Sequence, residues 1–247
     1  MRLLVVNVNT TESMTLEIGE RARRFAAPGT EIIALTPAFG PDECESNLDS
    51  HLAAIAVTDR VLAYDGPYDA VVQAGFGEHG REVLQEVLDV PVVDITEAAA
   101  HLAGLLGRRY SIITTLERSV SLIEDRLLLA GLDRTCASVL ASGIDVLELA
   151  VDRDRTFAAL VEQARTAVRR DRAEVICFGC AGMGDLAEQV QAAVGVPVVD
   201  GVSAAVKLAE SLVALGLSTS KSLTYAPPRA KTYLGWPLSV AGREARA

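Results

Sequence analysis

A cysteine in a glycine-rich turn carries the most reactive chemistry in this sequence. Cys180 follows an apolar run at residues 175–178 and is flanked by Gly179, Ala181 and Gly182. Where a strand gives way to a helix, free backbone N–H groups and the positive end of the helix dipole favour a thiolate. The small neighbours also let a carboxylate or imide oxygen approach the backbone. The pattern predicts a reactive thiol beside an oxyanion-binding turn; a partly buried cysteine without chemistry would give the same pattern.

The sequence is duplicated, and its two copies differ at this cysteine. Val-Pro-Val-Val-Asp occurs at residues 90–94 and again at 196–200, each time after an apolar run and a glycine-rich turn. Aligning the two copies, with one extra residue in the second connection, sets Gly75 opposite Cys180. A thiol in one half and none in the other predicts one-sided chemistry. The glycine also leaves space, which a larger planar substituent could occupy.

Polar side chains follow the first predicted strand of each half. These are Asn9 in the first half and Thr114 and Thr115 in the second. Their amide and hydroxyl groups could donate hydrogen bonds to a bound anion, and the predicted topology brings both threonines toward Cys180. For each residue taken singly, the alternative is ordinary helix N-capping.

Two titratable residues occupy the turn that matches the one holding Cys180. Either Glu78 or His79 could serve as a second acid or base that faces the thiol. The alternatives are a solvated histidine and a glutamate that favours the N-terminus of the following helix.

Short β-branched runs alternate with stretches of helical spacing, which is typical of βαβ units and a mainly parallel sheet. Strands are predicted at residues 3–8, 31–35, 70–73, 92–94, 110–114, 137–140, 174–178 and 198–200. Helices are predicted at residues 11–25, 48–64, 81–88, 97–106, 116–130, 155–170, 185–193 and 203–215. We therefore predict an α/β fold made of two similar Rossmann-like, flavodoxin-like halves with parallel sheets, related by a pseudo-two-fold axis.

The active site is predicted in the cleft between these halves, because ligands of open α/β sheets bind at the strand ends. The first half is predicted to comprise residues 1–100 together with a C-terminal segment, 206–247, and the second half residues 101–205. The turns expected to line the cleft are residues 7–11, 75–80, 114–117 and 179–184.

Composition restricts the class of protein. Half of the 247 residues are apolar, and the formal net charge is −10 without a block of Lys and Arg, so nucleic acid is not an expected partner. No apolar run has the length of a membrane span or a signal-peptide core, so a cytoplasmic protein is predicted. Cys177 and Cys180 have C-x-x-C spacing, but with three histidines and no second such pair no metal site is predicted. Cys44, Cys136 and Cys177 are expected to be buried structural thiols.

Four segments follow one another in the order of a known family's motifs. Residues 7–15 are similar to an opening Asn-Pro-Asn motif, with Val8 in place of proline. Residues 114–118 match a central Thr-Thr-Leu segment, residues 179–183 a second cysteine motif, and residues 200–207 a C-terminal signature. Together they resemble the aspartate/glutamate racemase superfamily, and within it the hydantoin and allantoin racemases, nearly end to end.

The resemblance implies a mechanism without a cofactor. In those racemases two cysteines, one from each half, face opposite sides of the substrate's α carbon, and one removes a proton while the other supplies one. Here Cys180 matches the second cysteine, and Gly75 stands at the first. A glycine and cysteine pair is similar to arylmalonate decarboxylase, another branch of the superfamily, in which the resemblance implies that a lone cysteine protonates one face of an enediolate.

The leading hypothesis is a cofactor-independent isomerase of the hydantoin racemase type, acting at the α carbon of a small hydantoin, ureide or amino-acid-like substrate. Cys180 is the predicted acid or base, with Glu78 or His79 opposite it. The groups predicted to bind the anionic or imide substrate are Asn9, Gly75, Phe76, Thr114, Thr115, Gly179, Ala181 and Gly182. The alternatives are a single-cysteine lyase such as an arylmalonate-type decarboxylase, a covalent nucleophile at an amide or imide carbon, and a small-anion binding protein without turnover. Related folds often assemble as oligomers, so a homo-oligomer is expected.

Overall fold

The computed structural model describes residues 1–229, 231–232 and 234. Its strands are β1 Arg2–Val6, β2 Glu31–Leu35, β3 Ala70–Gln73, β4 Val92–Asp94, β5 Tyr110–Thr114, β6 Cys136–Ala141, β7 Val175–Phe178 and β8 Val198–Asp200. Its α-helices are α1 Glu12–Phe25, α2 Asn47–Leu62, α3 Arg81–Val87, α4 Ile95–Leu106, α5 Glu117–Ala130, α6 Arg153–Arg170, α7 Ala187–Val194 and α8 Gly201–Ala214. Part of the 206–247 segment assigned to the first half lies outside the described residues. Within the described part of the chain, no helix is both long and apolar enough to cross a membrane.

Two four-stranded parallel sheets carry the fold. The first has the strand order β2-β1-β3-β4 and the second β6-β5-β7-β8, so the topology of the first sheet is repeated in the second. The central strands β3 and β7 are buried along their whole length, as expected for parallel strands covered by helices on both faces. The prediction of an α/β fold with two similar parallel-sheet halves is confirmed.

The last helix of each half packs on the sheet of the other half. Helix α4 contacts β7 and β8, whereas α8 contacts β3 and β4. The two helices also pack on each other, and a Cβ at Gly201 would lie 2.7 Å from the Ile95 carbonyl oxygen. One cluster of buried side chains therefore runs through both sheets, with Val5 and Val72 from the first and Ile112 and Val175 from the second.

The repeated aspartate of Val-Pro-Val-Val-Asp begins a helix in both halves. Asp94 accepts a hydrogen bond from the Glu97 amide at 2.8 Å, and Asp200 accepts one from the Ser203 amide at 2.9 Å. Such caps stabilise a helix N-terminus by about 1 kcal/mol. Because these aspartates act as caps, α4 and α8 begin two residues earlier than the predicted helices at 97 and 203.

Strand β1 ends at Val6 rather than at residue 8, where the prediction placed its end. The Asn7 carboxamide oxygen accepts hydrogen bonds from the amides of Val8 and Asn9, at 2.7 Å and 3.3 Å. A local side-chain bond of this kind offers the backbone an alternative to the sheet ladder. The chain therefore turns at Asn7 and places Asn9 at the end of the sheet.

Candidate functional site

A cleft lies where the carboxyl ends of the two sheets face each other. The cleft is narrow, because only about 50 Å³ within it is open to the centre of a water-sized sphere. Nine of the eleven predicted site residues line it: Asn9, Gly75, Phe76, His79, Thr114, Thr115, Gly179, Cys180 and Ala181. The other two, Glu78 and Gly182, lie on the same turns but are not lining residues.

Cys180 is held at the end of β7 by close packing against β5. The Gly179 amide donates to the Ile113 carbonyl at 2.8 Å, and a Cβ at Gly179 would lie 2.8 Å from a methyl group of Ile112. Only glycine allows this approach. After Cys180 the chain forms a 3₁₀ turn, Ala181–Leu186, before α7 begins. The turn therefore points the thiol into the cleft and leaves backbone amides beside it.

The thiol is protonated at neutral pH in the free protein. Burial raises the pKa of Cys180 to about 11, while the Gly182 amide and the Arg21 guanidinium lower it, and the Glu45 carboxylate raises it. The turn favours the thiolate as expected, through the Gly182 amide, but desolvation of the sulfur has the larger effect on the pKa. In the resting cleft the Cys180 thiol therefore carries its proton.

Gly75 occupies the equivalent position in the first half and has no free space beside it. A Cβ at Gly75 would lie 2.5 Å from the His79 ring and 2.8 Å from a Val8 methyl group. The expectation of space for a larger planar substituent is therefore wrong, since Val8 and His79 already fill it.

Replacing Gly75 with alanine is expected to lower the free energy of unfolding by about 1–3 kcal/mol, the usual cost of overpacking. Val8 is β-branched and cannot move its methyl groups away by a simple rotation. Urea denaturation would measure the loss, and Gly104→Ala is the matched control, because a Cβ at Gly104 meets nothing within 4 Å. An alanine at position 75 without effect on stability would contradict the packing argument. Adding Val8→Ala to Gly75→Ala should recover part of the loss.

His79 is a buried neutral imidazole rather than a solvated turn residue. Its side chain is 5% exposed, and burial lowers the pKa of the ring to about 4. Among the described residues, nothing hydrogen-bonds its Nδ1 atom. A buried polar atom without a partner is costly, so a ligand that came to hydrogen-bond this nitrogen would relieve that cost.

Glu78 lies on the same turn, but its carboxylate points toward an ionic cluster outside the cleft. One oxygen accepts the Gly80 amide at 2.8 Å, and the other lies 3.4 Å from the Arg126 guanidinium. Burial and the neighbouring Glu82 raise the pKa of Glu78 to about 7, although the Gly80 amide and Arg126 lower it. This carboxyl therefore holds its proton to a higher pH than an exposed glutamate does.

The threonines of the second half are not helix caps. Helix α5 follows Leu116, and no side chain caps it. Thr114 and Thr115 are almost fully buried at the end of β5, and the Thr114 hydroxyl lies 3.5 Å from the Gly179 carbonyl. The capping alternative is therefore wrong for both, and both residues line the cleft.

Asn9 is fixed by the polar groups around it. Its side-chain oxygen accepts from the Asn7 amide group at 2.8 Å and from the Thr11 backbone at 3.0 Å, and its nitrogen faces the Met14 sulfur. Helix α1 begins after Thr11 without a side-chain cap. The weak acceptor at Met14 leaves the Asn9 amide group able to donate to a ligand.

Cys44 was not predicted for the site but lines the cleft together with Cys180. It lies in the loop after β2, and burial raises its pKa to about 12. The sequence does not indicate that Cys44 belongs to the site, because its loop is not one of the segments that the sequence repeat aligns. Cys177 is fully buried as predicted, whereas Cys44 and Cys136 are only half-buried. In the described part of the chain, no three His, Cys, Asp or Glu side chains are grouped as metal ligands.

The chain is similar to known proteins over all the segments that line the cleft. The family model described as Asp/Glu/Hydantoin racemase matches residues 3–209. The hydantoin racemase of Pseudomonas sp. (strain NS671) is 37% identical over 236 residues, with 95% of each chain covered. The crystal structure of an allantoin racemase from Pseudomonas fluorescens is similar with a TM-score of 0.94 and 64% identity, covering 95% of this chain and 100% of that one. An allantoin racemase from Klebsiella pneumoniae has a TM-score of 0.91 and 39% identity, covering 95% of this chain and 96% of that one.

Proposed function

Because this chain belongs to the Asp/Glu/hydantoin racemase family and is an isomerase of that family, we propose that it interconverts the enantiomers of a ureido-substituted hydantoin such as allantoin. The identity of 64% to an allantoin racemase, against 37% to a hydantoin racemase, favours the ureido substituent. Two observations support the proposal: the Cys180 thiol lines the cleft, and the equivalent turn of the opposite half carries Glu78, whose pKa is raised to about 7.

The ring of such a substrate presents two carbonyl oxygens and an imide nitrogen. The backbone amides of the turn after Gly179 and the hydroxyls of Thr114 and Thr115 are the donors proposed to bind the carbonyl oxygen next to the reacting carbon. Negative charge develops on that oxygen when the α proton leaves, so donors aimed at it stabilise the transition state more than the ground state. The unpaired Nδ1 of His79 is proposed to hydrogen-bond a second polar group of the ring.

Racemisation then requires one proton acceptor and one proton donor on opposite faces of the α carbon. In one direction the Glu78 carboxylate removes the α proton, and the electrons of the C–H bond pass into the adjacent carbonyl to form an enolate. The Cys180 thiol then gives its proton to the opposite face, which leaves a protonated Glu78 and a Cys180 thiolate. The other enantiomer reacts by the reverse of these steps and restores the starting state.

Glu78 is the proposed second base in preference to His79. The pKa of His79 is lowered to about 4, so its ring is a weak base at neutral pH, whereas the pKa of Glu78 lies near the working pH. Proton transfer is most efficient when the pKa of the group is close to that pH. The proposal requires the Glu78 carboxylate to turn from Arg126 into the cleft when substrate binds.

The pH dependence of kcat/KM is expected to be the same bell for both enantiomers. Both directions need the pair Glu78 and Cys180 to hold one proton in total, so activity rises as Glu78 ionises near pH 7 and falls as Cys180 ionises near pH 11. Initial rates with each pure enantiomer, taken across this range, would measure both limbs. The two profiles coincide whichever residues act, because the equilibrium constant between enantiomers is 1, so the acidic limb carries the test. A profile without a limb near pH 7 would contradict the role of Glu78.

The experiment that tests the function is incubation of pure (S)- and pure (R)-allantoin with the protein in heavy water, beside an enzyme-free control. Loss of optical rotation together with uptake of deuterium at the α carbon, starting from either enantiomer, supports a racemase. Deuterium uptake with retained configuration would leave one-sided exchange, and carbon dioxide release from an arylmalonate would favour the lyase. A ligand-induced thermal shift without any turnover would favour a binding protein.

A further inference from the structure

Two buried arginines occupy equivalent places in the duplicated fold, and each reaches into the opposite half. Arg21 on α1 and Arg126 on α5 are 105 residues apart, as are Gly75 and Cys180. Arg126 pairs with the helix-capping Asp94 at 3.0 Å. Both guanidinium groups therefore lie beside the turns that carry the proposed acids and bases, although neither lines the cleft.

Arg21 makes its contacts around the turn of Cys180. Its guanidinium donates to the carbonyl oxygen of Ala181, the residue after the cysteine, and pairs with Asp185 at 2.7 Å. It also lies 3.7 Å from Asp200, the cap of α8. A Cβ at Gly184 would collide with this guanidinium and come within 2.5 Å of the Asp200 carboxylate, so the turn closes tightly around Arg21.

We propose that Arg21 is a positioning residue, by which the first half holds the turn of Cys180 and places a positive charge beside its thiol. The inference rests on the proposed function of Cys180 as an acid and base. Arg21 has a buried side chain, and a planar guanidinium can bind a carbonyl and a carboxylate at once, which a lysine cannot do in the same geometry.

The charged groups around the thiol fix the sign of the effect. Arg21 from α1 lowers the pKa of Cys180, and Glu45 from the loop after β2 raises it. Cys44 and His79, which line the same cleft, are both uncharged at neutral pH because burial raises the pKa of the thiol to about 12 and lowers that of the ring to about 4. Asp185 and Asp200 neutralise part of the charge of Arg21. Removing the arginine should therefore raise the pKa of Cys180, whereas removing one of the aspartates should lower it.

The test is the pH dependence of Cys180 alkylation by iodoacetamide, followed for each cysteine by mass spectrometry of the intact folded protein and its peptides. Arg21→Gln is expected to move the midpoint of Cys180 alkylation to higher pH by up to about one unit, which lowers the thiolate fraction up to about tenfold at pH 8. Asp185→Asn, at a residue 45% exposed, is expected to move it to lower pH. Cys136 serves as the internal reference.

The matched control is Arg24→Gln, one turn further along α1. Arg24 pairs with Glu188 at 3.0 Å across the same two halves, but it is exposed and does not touch the turn of Cys180. It is expected to leave the Cys180 midpoint unchanged. Shifts of equal sign for Arg21→Gln and Asp185→Asn would overturn the proposal, because a merely loosened turn acts alike in both, and so would no shift in either.

If Arg21→Gln does not fold, Arg21→Lys and Asp185→Asn carry the test. The lysine keeps the charge, so the midpoint is expected to stay near that of the unchanged protein while kcat falls as the Ala181 carbonyl loses its donor. A lysine variant with full kcat would overturn the positioning role. Alkylation needs no substrate, so it tests the role of Arg21 separately from the proposed function. If the midpoints shift as expected but no racemisation is found, the proposed function is wrong and the electrostatic effect of Arg21 on the Cys180 thiol is supported.

Discussion

Replacing Cys180 with serine is expected to lower kcat/KM for racemisation at least about a thousandfold for both enantiomers, near the upper end of what one acid or base contributes. A serine hydroxyl keeps nearly the size of the thiol but gives up its proton far less readily. Polarimetry starting from each pure enantiomer would measure the loss. Cys136→Ser is the control, since Cys136 lies on β6 and does not line the cleft.

The isotope pattern of the serine variant is the sharper result. The enantiomer whose α proton faces Glu78 is expected to exchange this proton for deuterium with retention of configuration, because the carboxylate can still remove and return it. The other enantiomer is expected to stay unlabelled. Racemisation at the unchanged rate would rule out proton transfer by Cys180.

Replacing Glu78 with glutamine is expected to lower racemisation about a hundred- to ten-thousandfold and to remove the limb of the pH profile near pH 7. The amide keeps the shape of the side chain and its contact with the Gly80 amide but cannot accept the α proton. In heavy water the labelling should be the mirror image of that in the serine variant, with retention now at the enantiomer that faces Cys180. This reciprocity identifies two groups on opposite faces.

Two further variants decide between Glu78 and its neighbours. Glu82→Gln removes a carboxylate that raises the pKa of Glu78, so racemisation should persist and the acidic limb should move to lower pH. His79→Gln is expected to act mainly on KM, because the proposed role of the ring is to bind substrate. Loss of kcat in His79→Gln together with full activity in Glu78→Gln would make the histidine the base.

The fold could be predicted because each strand is a short apolar run and because the sequence repeats. The Val-Pro-Val-Val-Asp copies located β4 and β8, and the order of strands and turns placed Gly75 and Cys180 at the same cleft. The end of β1 was not predictable from hydrophobicity, since it depends on hydrogen bonds made by the side chain of Asn7.

The chemistry of the site was harder to predict than its location. The pKa of Cys180 depends on how deeply the fold buries the sulfur, and the space beside Gly75 depends on where Val8 and His79 point. Neither follows from residue types at a given spacing. Arg21 was missed although its spacing to Arg126 repeats that of the cleft turns, because surface arginines on amphipathic helices look the same in sequence. The domain limits at residues 100 and 205 and the homo-oligomer stay predictions.

Because α4 and α8 each pack on the sheet of the other copy, neither copy has a complete core of its own. Each sheet is sealed by a helix encoded in the other copy, so a single copy produced alone would show the apolar side of its own central strand to water. A single copy is therefore expected to complete its core only by pairing with a second copy. In one polypeptide the two copies are not identical subunits related by symmetry. One copy can therefore carry Cys180 where the other carries Gly75.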